Sequence, residues 1–104
     1  MAEYGREKGP AFEAMHPGEL LRETILPALK EQRINQSDLA RMLAISRQSL
    51  SDIVNEKRSV TAEMAVRLGT VFDNSPAFWL NLQSNYDLWH AEREVDVTKL
   101  GRVA

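Results

Sequence analysis

The segment from Asn35 to Asn55 constrains this chain more than any other, because it reads as two short helices joined by a tight turn. In the first, Leu39, Ala40 and Leu43 stand at i, i+1 and i+4 and share a buried face, and Ala40 is small enough to let another helix approach. Ser46 breaks the pattern as an N-cap. Beyond it Leu50, Ile53 and Val54 turn inward, while Arg47, Gln48, Ser51, Asp52 and Asn55 turn outward. A short helix with one wholly polar face, braced by a partner across a tight turn, has the shape that enters a DNA major groove. The same pattern also fits an ordinary helical hairpin whose polar face is only solvated.

On the DNA reading, Arg47 and Gln48 occupy the first turn of the third helix and match the bidentate side chains that read guanine and adenine, at roughly 1–3 kcal/mol of discrimination each. Ser51 and Asp52 complete the candidate base contacts. Asp52 would either accept from a cytosine amino group or be held away from phosphate by repulsion. Gln36, at the start of the second helix, offers a side-chain amide and a helix N-terminus to a phosphate oxygen. Ser46, Asn55, Lys57 and Arg58 are the other candidate phosphate contacts.

A net charge of −2 argues at first sight against a polyanionic partner. The distribution reverses that. Between Lys30 and Arg58 six basic residues face four acidic ones, and the remainder of the chain carries seven basic against eleven acidic. A mildly basic patch on an acidic body suits DNA on one side and a small basic protein on another. There is no cysteine, so disulfides and thiolate zinc sites are excluded. No apolar run approaches the roughly 18 residues of a membrane span, and the polar N-terminus lacks the apolar middle of a signal peptide. A cytoplasmic protein with no membrane partner is expected.

The fold class expected is all-α, with five helices in one domain and one core, as 104 residues at 43% hydrophobic content allow. Residues 1–14 lack periodicity and are expected to form a flexible extension, although Phe12 and Met15 could dock. The domain proper is expected to span 15–92. Helix one starts near Pro17, buries Leu20 and Leu21 with Thr24 and Ile25 as further candidates, and ends or kinks at Pro27. Asn35 caps helix two with Asp38 as its reciprocal partner, and Asn55 closes helix three in a left-handed conformation. Thr61 caps helix four, whose stripe of Met64, Ala65, Leu68, Val71 and Phe72 is the most regular in the chain. Ser75 and Pro76 open helix five, which is expected to reach about Glu92. It carries more apolar surface than one bundle uses, so Trp79, Leu80, Tyr86, Leu88 and Trp89 are assigned to a homodimer interface. The tail, 93–104, has no assigned structure.

Little supports catalysis or a cofactor. His16 and His90 are far apart in sequence and show no metal-ligand spacing; His16 reads as a polar residue ahead of a helix. Glu19 and Glu23, at i and i+4, fit a solvated helix face rather than a catalytic carboxylate pair. No serine has a histidine or lysine partner in the pattern, so the chain is not expected to be an enzyme.

Several blocks, taken together, resemble the HigA (VapI-type) antitoxins, whose helix-turn-helix is of the lambda-repressor-like, XRE type. These blocks are His16-Pro17-Gly18-Glu19, Ser46-Arg47-Gln48-Ser49-Leu50-Ser51, Asn55-Glu56-Lys57-Arg58, Thr61 to Leu68, and Ser75-Pro76-Ala77-Phe78-Trp79-Leu80-Asn81-Leu82-Gln83. The resemblance covers about 15–92. Its first and last blocks are the more specific, since many phage-type regulators share the middle ones. It implies a type II antitoxin that binds a small basic toxin, a ribonuclease acting on messenger RNA, and that represses its own operon as a dimer on double-stranded operator DNA. It also implies base contacts from the first turn of helix three and phosphate contacts from the ends of helices two and three. Two positions depart from the family pattern, Ala44 and Glu56, each standing where glycine is frequent. If Ala44 needs a positive φ it carries roughly 1 kcal/mol of strain. Two rivals remain at this point: a stand-alone repressor with no toxin, and a protein-binding inhibitor that no longer binds DNA.

Overall fold

The computed structural model describes residues 12–103. Among these the regular structure is all helix, without strands. The first helical run, α1, covers 17–31 in three registers: α over Pro17–Leu20, π over Leu21–Ile25 and α again over Leu26–Glu31. It is followed by α2 (Gln36–Leu43), α3 (Arg47–Val54), α4 (Ala62–Val71), α5 (Pro76–Glu94) and a single 3-10 turn at Val97–Lys99. Of the expected N-terminal extension, 1–11 lie outside the described residues. Glu13 is described, and its carboxylate bonds the His90 ring on α5.

Pro27 does not end the first helix. Proline has no N–H and its ring crowds the carbonyl one turn back, and here the backbone widens into a π turn just before it, with the Leu26 N–H bonding the Leu21 carbonyl. Leu21 is fully buried, Leu20 and Ile25 half-buried, and Thr24 faces solvent.

The N-caps are those the sequence specifies. Asn35 and Asp38 form a reciprocal capping box, each side chain accepting the other's backbone N–H at 2.8 and 2.9 Å. Ser46, Thr61 and Ser75 cap α3, α4 and α5. At the other ends one motif recurs. Arg33, Ala44, Glu56 and Asp73 all have positive φ, between 53° and 63°, and each follows one of the first four helices. In every case the residue after it donates back to a helix carbonyl: Ile34 to Leu29, Ile45 to Ala40, Lys57 to Asp52 and Asn74 to Gly69. The chain therefore closes four helices with left-handed Schellman turns and uses glycine in none of them. Helix three closes at Glu56, not at Asn55, whose φ is −92°.

The core is built by Leu21, Leu39, Ala40, Leu43, Leu50, Ile53, Val54, Val60, Ala65, Leu68 and Trp79. The inward residues read from α2 and α3 are all among them. Trp79 is a correction to its interface assignment. It is 1% exposed, tilts against Phe72 and donates its indole N–H to Asn74 Oδ1 at 2.8 Å, so it belongs to the chain's own interior. The α4–α5 turn brings α5 back along α4, and a large aromatic ring one turn into α5 is what fills the angle between them.

Candidate nucleic-acid interface

Helix α3 is fixed from beneath by Leu50, Ile53 and Val54 and at its start by Ser46, whose Oγ accepts the Ser49 N–H at 3.0 Å. Its outer face is open. Arg47, Gln48 and Asn55 are exposed, with Ser51 and Asp52 half-buried. Gln36, Ser37, Arg47, Gln48 and Ser51 line one cleft of about 320 Å³. These are first-turn residues of α2 and α3 with Ser51 one turn further on, so two helix N-termini, each with unpaired N–H groups and partial positive charge, meet there. The sequence-assigned Gln36 thus lies beside Arg47 and Gln48. Ser37 joins them without having been singled out; its place in the first turn of α2, next to Gln36, is the signal that could have found it.

Lys57 and Arg58 are exposed in the loop that follows. Their backbone N–H groups both donate to the Asp52 carbonyl, at 2.7 and 3.2 Å, which anchors the loop to the end of α3. The Asp52 side chain is engaged as well. Its Oδ1 accepts Gln48 Nε2 at 2.8 Å and its Oδ2 lies 3.7 Å from Arg58 Nη2. Asn55 donates its amide to Ser51 Oγ at 3.2 Å, and Ser46 and Ser49 share a hydroxyl bond.

Glu56 would place a negative charge among these groups. Arg22, from the π turn of α1, meets it: Nη2 lies 3.0 Å from Glu56 Oε2, while Nη1 donates to the Val54 carbonyl at 2.6 Å. Arg22 therefore both offsets the acidic side chain and binds the last turn of α3, where the helix dipole is negative. No periodicity points to Arg22. It sits between Leu21 and Glu23 like any solvated residue, and only packing of α1 against α3 gives it this part.

That packing depends on the His-Pro-Gly-Glu block. The buried His16 caps α1, Nδ1 accepting the Gly18 N–H at 2.8 Å, and its ring stands edge-on to Tyr86. Burial holds its pKa below the ordinary 6.5. A side chain at Gly18 would put its Cβ 2.0 Å from the Ile53 carbonyl oxygen, so the backbones of α1 and α3 touch there.

Of the remaining interface residues, Leu80 and Leu88 are exposed on α5, by 37% and 58%, as is Phe78. Tyr86 and Trp89 are half-buried, packed with His90, and Arg93 lies over the Trp89 ring at 3.6 Å. Gln83, which sequence patterning left without a role, is buried. It accepts the Val60 N–H at 2.8 Å and donates to Asp87, tying the loop after α3 to α5.

A helix-turn-helix family model matches residues 28–79, the span holding α2, its turn and α3. The structure of a HigA-family addiction-module antidote protein from Coxiella burnetii superposes with a TM-score of 0.79 at 36% identity, covering 89% of this chain and 100% of that one. The chain belongs to the HigA-type helix-turn-helix family. A helix-turn-helix transcriptional regulator of Haemophilus influenzae is 48% identical to this HigA-type protein over 75 residues, 72% of this chain and 67% of its own. PA4674 of Pseudomonas aeruginosa, solved in complex with its 28-base-pair operator DNA, matches at TM-score 0.72 and 39% identity over 88% of this chain and 100% of that one. The HigA-type family is one of DNA-binding regulators and antitoxins, not of enzymes. Among the described residues no helix is long and apolar enough to cross a membrane.

Proposed function

We propose that this protein is the antitoxin of a two-component module. It binds and neutralises a small basic, messenger-RNA-cleaving toxin and, as a homodimer, binds operator DNA to repress its own operon. The observation that carries the DNA half is the open cleft in which Gln36, Arg47, Gln48 and Ser51 meet at two helix N-termini, in a fold whose relatives include a protein solved on its operator. Arg47 and Gln48 read bases, with Ser51 beside them. Gln36, Ser46, Asn55, Lys57 and Arg58 hold phosphates on either side. Two copies of α3 spaced roughly 34 Å apart, one DNA turn, would seat on a palindromic site. Leu80, Leu88, Tyr86 and Trp89 on α5 supply the surface for pairing the subunits.

A shift assay with DNA from upstream of the gene tests this. Wild-type protein should bind it, and Arg47→Ala should weaken binding roughly 5- to 150-fold for each half-site. Lys57→Ala should weaken all sequences alike and reduce the salt dependence by about one counterion per subunit. Unchanged operator affinity and sequence preference in Arg47→Ala would remove the base-reading assignment. For the toxin half, the chain should co-purify with the product of a neighbouring reading frame and abolish its ribonuclease activity; free ribonuclease in the presence of excess antitoxin would end that half.

A further inference from the structure

Asp52 faces the same way as the base-reading row, yet both carboxylate oxygens are occupied from within: Oδ1 by Gln48 Nε2 at 2.8 Å and Oδ2 by Arg58 Nη2 at 3.7 Å. It is also the less exposed partner in its pair with Arg58, its side chain 24% exposed against 54%. From this geometry we infer that Asp52 is a positioning residue which fixes the orientation of the Gln48 amide and thereby sets which base Gln48 accepts. The inference rests on the DNA-binding reading above and adds the identity of the base.

An unrestrained glutamine can present either end of its amide, because rotation about its last torsion exchanges a donor for an acceptor at little cost. Beside an ionised carboxylate, which only accepts, the choice disappears. The NH2 end must turn toward Asp52, one turn along the helix, and the Oε1 end must turn outward. An outward acceptor requires a donor on the base. In the major groove adenine N6 and cytosine N4 supply one, whereas guanine presents two acceptors and thymine an acceptor and a methyl group. The second Nε2 hydrogen remains free, and adenine N7 is placed to accept it, so adenine alone satisfies both ends of the amide. The Asp52 charge acts in the same sense by repelling the acceptor edge of guanine. Its pairing with Arg58 keeps the carboxylate aimed, and joins the base-reading row to the phosphate loop.

The test is a full set of single-base substitutions across the operator, measured by competition for wild type, Gln48→Ala, Asp52→Ala, Asp52→Asn and the double variant, each checked for native helicity. Wild type should prefer adenine at one position per half-site, and Gln48→Ala should lose that preference. Asp52→Ala should lose it too, by roughly tenfold relative to guanine, with preferences at other positions intact. Asp52→Asn, which keeps an acceptor oxygen, should retain part of it, and Asp52→Ala should add nothing in the Gln48→Ala background. Wild-type base ratios surviving in Asp52→Ala, or an equal loss for every sequence, would overturn the inference while leaving operator binding in place. Failure of wild type to bind the operator would instead overturn the functional reading beneath it.

Discussion

At the scale of single residues, two side chains have roles that their neighbours in sequence do not announce. His16 caps α1 through an unprotonated Nδ1 inside the fold, and burial lowers its pKa from 6.5. As pH falls the unfolded chain therefore takes up this proton first. Its contribution to stability is complete above 6.5 and is lost as pH drops through that value toward the lower pKa of the folded state. Thermal melts of wild type at pH 7 and pH 5 should show a fall in Tm that is smaller in His16→Asn, a variant keeping a capping acceptor without a titration; equal falls would show the histidine is not responsible. Arg22 is the second case. Arg22→Ala breaks the bond to the Val54 carbonyl and leaves Glu56 unpaired beside Lys57 and Arg58. Because the guanidinium is solvated, the expected cost is modest, a small fall in the urea midpoint. DNA affinity should fall for all sequences, and Arg22→Ala combined with Glu56→Gln should recover more of that affinity than of the stability.

At the scale of elements, the helix ends are where this chain stores strain. L-residues in the left-handed region cost roughly 1–2 kcal/mol, and four of them terminate helices here. Ala44 shows the effect most simply, since its φ of 57° and ψ of 43° involve no polar side chain. Ala44→Gly should raise stability by a net of about 0.5–1 kcal/mol, the relief of strain being partly offset by the freer unfolded chain. A urea midpoint that falls on this substitution would show that the turn is not strained. The opposite case is Gly18. An added methyl collides with the Ile53 carbonyl, and Gly18→Ala should cost about 3 kcal/mol by forcing α1 off α3. Gly101→Ala, with nothing within 4 Å, serves as the neutral control.

At the scale of the whole molecule, α5 is the element with surface to spare. Trp79 and Gln83 turn into the domain, while Phe78, Leu80 and Leu88 face outward, and beyond the helix Val95, Val97 and Leu100 are exposed as well. Scattered apolar residues need no explanation, but a helix that contributes to the core and still exposes this many large side chains fits a subunit contact. Leu88→Glu should therefore yield monomers by sedimentation and weaken operator binding while the helical content of the domain is retained. A dimer that persists in Leu88→Glu would move the contact elsewhere.

Local signals made much of this protein legible from its residues alone. Caps at Asn35, Ser46, Thr61 and Ser75, the inward faces of α2 and α3, and the outward row beginning at Arg47 all follow from spacing and short-range hydrogen bonding, which a sequence encodes directly. Three features do not. Trp79 could have faced a partner or its own core, and only the angle at which α5 returns along α4 assigned it inward. Pro27 reads as a helix end or a kink, and it is the π turn just before it that lets α1 continue past it. Arg22, Glu56 and Val54 are more than thirty residues apart or on different elements, and their contact exists only because Gly18 lets two backbones touch. Periodicity fixes which side of a helix is apolar; which apolar side meets which, and which charge thereby lies next to which, is a property of helices already packed together.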